Sequence, residues 1–225
     1  MSARSELKQV IAKHSVTAGA TQKLPNEWID MDLEGNPARK AAVLILFGAA
    51  GDAPLAEQAG AQDLDLLFVE RATTLRKHAG QIAFPGGGID QEDSSVADAA
   101  LREAWEETGV DTSGIEVLGH LSETELPVSN FLVTPVLGWW HTESTVHAVD
   151  PAESAGVFRA PVSQLLDPKN RLTGVVQRNG QKFTSPAFQF GERIIWGFTA
   201  IVLDRLFTDL GWTREWNQQR ELRMA

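Results

Sequence analysis

The 225-residue chain contains no cysteine. That excludes disulfides, thiolate nucleophiles and cysteine-ligated zinc together. Positive charge is also short: 20 Lys and Arg stand against 30 Asp and Glu, for a formal net charge of -10. A field of that sign disfavours a nucleic-acid polymer or an anionic membrane as main partner. It leaves room for a small anionic substrate if metal ions or a local group of cations offset the repulsion. Long apolar runs are missing too. The longest uncharged one, AAVLILFGAAG between Lys40 and Asp52, is too short to span a bilayer. MSARSELKQVIAKHS at the amino terminus scatters its charges and lacks the apolar h-region of a secretory signal. The expectation is a cytoplasmic protein without a membrane partner.

With 43% hydrophobic and 22% charged residues the composition fits a soluble globular chain, long enough to bury a sizeable core. Leu7, Val10, Ile11 and His14 recur at helical spacing and predict a short amphipathic helix, followed by a polar connector over 15–40. AAVLILF (41–47) and LDLLFVER (64–71) read as strands, a hairpin whose tip carries a Gly/Ala/Pro-rich excursion. QIAF is a further short strand, stopped by Pro85 and the glycines after it.

FPGGGIDQEDSSVADAALREAWEETGV (84–110) is where the pattern departs from what folding alone requires. Ser95 with Asp98 fits a capping box and Gly109 fits the position just past a helix end, so a helix covers roughly 96–108. On it Glu103, Glu106 and Glu107 fall within about 100° of arc, while Leu101 and Trp105 point the opposite way, toward a packing face. Carboxylates so placed repel one another unless something neutralises them. A hard divalent cation such as Mg²⁺ or Mn²⁺ does so. Arg102 is placed to brace Glu106 four residues on. The plain alternative is a solvated acidic face, which the glycine turn and the Arg-Glu pair argue against.

Arg102-Glu103-Ala104-Trp105-Glu106-Glu107-Thr108-Gly109-Val110 resembles the core of the Nudix box, Arg-Glu-apolar-x-Glu-Glu-x-Gly-apolar. Strict box spacing puts a glutamate where Ser94 stands. Upstream, LLFVERATTLRKHAGQIAFPGG is similar to the signature of coenzyme A-type Nudix hydrolases at Arg71, Arg76, Gly80, Phe84, Pro85, Gly86 and Gly87, with Val69 in place of the usual threonine. That subfamily carries a longer loop with aspartates at the positions of Asp90 and Asp93, so the Ser94 departure is a subfamily trait. Further similarity lies in 125–139, 151–166 and 194–206.

The resemblance implies a Nudix α/β/α sandwich, a mixed sheet between helices with the box as loop-helix-loop, over 40–207. Residues 1–39 and 208–225 are then terminal additions, either a homodimer contact or a cover over the core of one chain. It implies a Mg²⁺- or Mn²⁺-dependent diphosphatase acting on coenzyme A or its acyl esters. The alternatives are another nucleoside diphosphate derivative, such as ADP-ribose or NADH, and a non-catalytic binding domain, against which the intact glutamates argue. The expected ligands are Glu103 and Glu107 first, Glu106 third, and a carbonyl of Gly86 or Gly87, with Arg102 orienting them. Arg71 and Arg76 would meet substrate phosphates, although Lys and Arg after a strand are commonly a solvated turn; Lys77 and His78 stay open. Gly80 belongs to the same signature, and Gln81 and Phe84 face substrate or, for Phe84, the core. Ser129 and Asn130 would line the pantetheine side. The general base is a box glutamate, Glu123, Glu125 or Glu153, the last matching a recurring family glutamate. Asp93 is placed to reach Arg102 in lieu of the missing box glutamate.

Overall fold

The computed structural model describes residues 1–16, 39–51, 56, 58–75, 78–126, 131–178 and 180–224. Arg76, Lys77, Ser129 and Asn130, all weighed above for substrate contact, lie outside them. In chain order the elements are α1 (Ala3–Val16), β1 (Arg39–Ala49), β2 (Leu64–Arg71), β3 (Ile82–Ala83), β4 (Gly86–Gly88), α2 (Val96–Thr108), β5 (Ile115–His120), β6 (Thr124–Leu126), β7 (Phe131–Trp140), β8 (Ser154–Pro161), α3 (Val162–Leu165), β9 (Arg171–Arg178), β10 (Gln181–Phe190), β11 (Arg193–Ile195), α4 (Phe198–Asp209) and β12 (Glu221–Arg223). No helix among the described residues is long and apolar enough to cross a membrane.

Strand β1 organises the fold because both of its faces are apolar. Ala42, Leu44 and Leu46 enter one core cluster and Ile45 and Phe47 the other, as period-two alternation requires of a strand covered on both sides. It runs parallel to β7 and antiparallel to β2 and β4, so the eight-stranded sheet is mixed. The expected hairpin of 41–47 with 64–71 is present. Strand β2 is paired with β8 along one side. On its other side β1 takes Leu64–Leu66 and β3 takes Val69 and Glu70. Residues 82–88 therefore cross from the end of β2 to the start of β1, and Leu44 N donates to Pro85 O at 2.8 Å on the way. This crossing sets the glycines against α2.

Helix α2 begins at Ser95, whose hydroxyl accepts from Asp98 N at 3.1 Å, and ends on Gly109 in the left-handed region at φ 67°. Its buried stripe is Ala99, Ala100, Ala104 and Thr108. Trp105 is 58% exposed and Leu101 only partly buried, which corrects the expectation that they form the packing face. The reason is steric: alanines bring the helix close to β1, and Leu101 and Trp105 each lie one 100° step off the line through Ala100 and Ala104.

A second sheet, ordered β11-β10-β9-β12, was not foreseen. At its centre Arg171, 1% exposed, is ion-paired with Asp204 of α4 and lies over the rings of Phe188 (4.2 Å) and Trp216 (4.7 Å). Both termini cover the chain's own core. Ala3, Leu7, Val10 and Ile11 of α1 are buried in the same cluster that Trp212 packs against, and Trp212 Nε1 donates to Glu6 at 2.7 Å. Burial of side chains the size of Leu7, Val10 and Ile11 contributes about 1.5–3 kcal/mol each.

Candidate active site

The glycine crossing and α2 meet through backbone and carboxylate. Gly86 N donates to Glu107 Oε2 at 3.0 Å. Gly86 has φ 157° and sits so close to β1 that an added Cβ would stand 2.4 Å from Ala42 O. At Gly87 an added Cβ would stand 2.5 Å from the Glu103 carboxyl carbon. Glycine is required at 86 by the strand backbone, and at 87 it leaves the space that the Glu103 carboxylate occupies.

Arg102 holds the other side together. Its Nε and Nη2 donate to the two oxygens of Asp93, each at 2.9 Å, and Nη2 also donates to Gly88 O at 3.0 Å. Nη1 reaches Glu103 Oε1 at 3.0 Å and Glu106 Oε2 at 3.2 Å. One guanidinium thus ties the glycine strand, the acidic loop and two box glutamates into one body. The Arg102 contact and the N–H of Asp90 hold the Asp93 carboxyl below the usual range.

Burial pushes Glu107 up to about 7, against the Gly86 N–H, which lowers it; the Glu103 charge adds to the rise, Arg71 opposes it, and Glu153 adds again. Glu103 is also raised, first by burial, with Arg102 opposing and Glu106 adding. Glu103, Glu107, Gly86 and Gly87 therefore come together, with Arg71 and Glu153 near enough to act on Glu107. Glu106 stands at the rim, 46% exposed. Among the described residues no three acidic or imidazole groups already form an ion-sized cage. The donor set still fits a hard divalent cation: two partly buried, mutually repelling carboxylates beside a glycine backbone that approaches both of them. Glu103 and Glu107 could hold it, with Glu106 joining if it leaves Arg102.

The remaining candidates separate. Phe84 is 3% exposed and stacked on Phe68 at 5.5 Å, so it takes the core alternative and cannot face substrate. Gly80 turns the chain at φ 68° on the surface, and Gln81 Oε1 lies 2.9 Å from His78 Nδ1. Glu153 is exposed at the start of β8 and its carbonyl accepts from Ala72 N. Glu123 lies 3.9 Å from Lys40. Trp139 and Trp140 are buried. The Gly88 carbonyl went unread, because a backbone acceptor leaves no trace in residue identity.

A mixed sheet that presses a glycine strand against an arginine-braced glutamate helix defines a class of site, one whose excess carboxylate charge could be met by a cation. Residues 46–176, more than half the chain, match the NUDIX domain, and the protein belongs to that family as a Nudix hydrolase. NudL of Photorhabdus laumondii, an uncharacterized Nudix hydrolase, is 38% identical over 141 residues, 63% of this chain and 74% of its own length. The NudL of an Enterobacter species is 37% identical over 175 residues, 77% of this chain and 83% of its own. Among solved structures, a MutT/nudix family protein from Enterococcus faecalis is similar at a TM-score of 0.47 and 17% identity over 94% of this chain and 75% of that one.

Proposed function

We propose that the protein is a divalent-metal-dependent diphosphatase that cleaves coenzyme A or its acyl esters to phosphopantetheine, acylated or not, and adenosine 3′,5′-bisphosphate. The observation that carries this is the seating of Glu103 and Glu107 against Gly87 and Gly86, with the Arg71 charge acting on Glu107. The substrate class is supported by the segment that builds this seat: 66–87, which resembles the coenzyme A signature, supplies β2, β3 and the start of β4.

Hydrolysis forms one P–O bond from water, breaks one bridging P–O bond and moves a proton off the water. Glu103 and Glu107, with Glu106 and a Gly86 or Gly87 carbonyl, would hold Mg²⁺ or Mn²⁺, which when bound supplies Lewis acidity toward the diphosphate oxygens. Arg102 keeps the carboxylates in register. Arg71 places positive charge where the diphosphate must lie, and Arg76 follows it in the signature. Glu153 is exposed and close to Glu107, so it can take the water proton without leaving solvent.

A panel of coenzyme A, acetyl-coenzyme A, ADP-ribose and NADH, with Mg²⁺, Mn²⁺ or chelator, tests the reading. Coenzyme A species should show the highest kcat/KM, and the two named products should separate. A clear lead for ADP-ribose overturns the substrate, and cleavage that survives chelation overturns the metal.

A further inference from the structure

Four phenyl rings run outward from the glycine crossing. Phe84 stacks on Phe68, Phe68 on Phe158 and Phe158 on Phe190, with centroids 5.5, 5.5 and 5.7 Å apart and the last two planes only 9° from parallel. The inner two are buried and the outer two partly so. The Arg193 guanidinium lies 4.6 Å from the centre of the Phe158 ring, and its Nε donates to Glu70 Oε2 at 2.9 Å while 42% of the side chain stays exposed. A core row capped by an arginine stem would need no further explanation.

Gly156 does not fit that account. It faces Glu70 across the β2–β8 ladder and so shares a sheet face with Glu70 and Phe158. Its φ is not in the left-handed region, and among the described residues an added Cβ would meet nothing within 4 Å. Neither backbone conformation nor close packing asks for glycine here, and a strand interior is destabilised by one. Among the described residues, glycine leaves this face uncovered beside Glu70 and Phe158.

We propose that Gly156, Glu70, Arg193 and the outer phenyls Phe158 and Phe190 form the subsite for the purine base of a nucleoside diphosphate substrate, an inference that rests on the hydrolase reading above. A guanidinium centred over a phenyl ring is a planar cation on which a base can stack. Glu70 fixes that plane through Oε2, and its Oε1 is the acceptor available to an exocyclic amino group such as that of adenine. Glu70 and Arg71 leave successive positions of β2, where the ladder's register shifts between them, so the shelf and the Arg71 charge that acts on Glu107 approach each other only round the end of the strand. The base shelf and the diphosphate site share the end of β2.

The test uses the full chain. ADP binding without metal is measured by equilibrium dialysis, coenzyme A hydrolysis by KM and kcat separately, and folding by thermal melt. Gly156→Leu should melt at or above the wild-type temperature, since a strand gains a side chain in open space. It should weaken ADP binding by about 5- to 100-fold, the range of stacking per base, and raise KM with kcat little changed. Arg193→Ala, at an exposed position, should weaken ADP in the same range, and inosine 5′-diphosphate, with a carbonyl in place of the amino group, should bind wild type several-fold more weakly than ADP. Wild-type ADP affinity in both variants, or no ADP binding by wild type, overturns the subsite. Loss of ADP binding in the variants from a wild type that hydrolyses no nucleoside diphosphate overturns the hydrolase reading and leaves the subsite standing.

Discussion

Arg102 and Arg171 are both arginines fixed by carboxylates, and they hold their charge in opposite ways. Arg102 lies within 4 Å of Asp90, Asp93, Glu103 and Glu106, and with Glu107 beyond them the cluster carries more negative charge than one guanidinium neutralises. Arg171 meets one carboxylate, Asp204, and its remaining surface lies against Phe188 and Trp216. The first arrangement is unbalanced and reaches the surface, so it has capacity for a cation. The second sets one guanidinium against one carboxylate, so it carries no excess negative charge for a cation. Charge imbalance, rather than burial of charge, marks the site.

The comparison is broken most directly at Glu107. Glu107→Gln keeps an oxygen to accept from Gly86 N–H but removes the charge, so circular dichroism and melting temperature should stay near wild type. Metal-dependent turnover should fall by more than about a thousandfold, since a bound cation supplies several kcal/mol of transition-state charge stabilisation. A variant that retains a tenth of wild-type turnover would move the ligand role elsewhere.

At the closed cluster the effect should appear in stability instead. Asp204→Ala strands the buried Arg171 without its partner, which costs roughly 3–5 kcal/mol, or roughly 6–20 °C in Tm for a chain of this size. kcat/KM per folded molecule should be unchanged below the transition. A catalytic loss in molecules shown to be folded would mean that the second sheet reaches the site.

The two clusters also differ in how much the sequence reveals. Arg102 and its carboxylate partners Asp90, Asp93, Glu103 and Glu106 lie within seventeen residues on one loop and one helix, so helical spacing brought the glutamates together and the resemblance to the longer loop added Asp93. The Arg171–Asp204 pair spans 33 residues and depends on how the second sheet, through β10, packs against α4, information that no local period contains. Trp216 is further still, and β12 is three residues long, too short for alternation to announce it. The β1–β2 pair was legible because both strands are continuous apolar runs, whereas the mixed character of the sheet came only with the Nudix resemblance, since the parallel partner β7 lies far downstream, Arg39 pairing with Phe131, in no local pattern. Phe84 was ambiguous because a two-residue strand gives no face, and only the stack on Phe68 settles it.

Asp93 and Ser94 sharpen the comparison one level down. Asp93→Ala removes the bidentate anchor of Arg102 and frees it from the glycine loop, so the Mg²⁺ or Mn²⁺ concentration at half-maximal activity should rise roughly 10- to 100-fold. Ser94→Ala should leave that concentration unchanged, because the cap of α2 is the neighbouring Ser95 hydroxyl. The reverse pattern in a metal titration of the two variants would assign the role to the wrong residue.

Two tryptophans carry the comparison to its smallest term. Trp216 lies over the buried Arg171, whereas Trp105 projects from α2 between Ala104 and Glu106 with 58% of its surface in water. Periodicity alone placed Trp105 on the packing face, and the two placements predict different numbers for Trp105→Ser. A buried tryptophan cut to a small side chain costs about 3–5 kcal/mol. An exposed one should change stability by no more than about 0.5 kcal/mol. Helix propensity does not blur the result, since Trp and Ser rank together as helix residues. Nor does the metal site, because Arg102, Glu103 and Glu107 keep their partners without the indole. Urea denaturation of wild type and Trp105→Ser should therefore give curves with nearly equal midpoints and slopes, and kcat should be retained. A midpoint shift equivalent to 3 kcal/mol would return Trp105 to the core and reopen how α2 is set against β1.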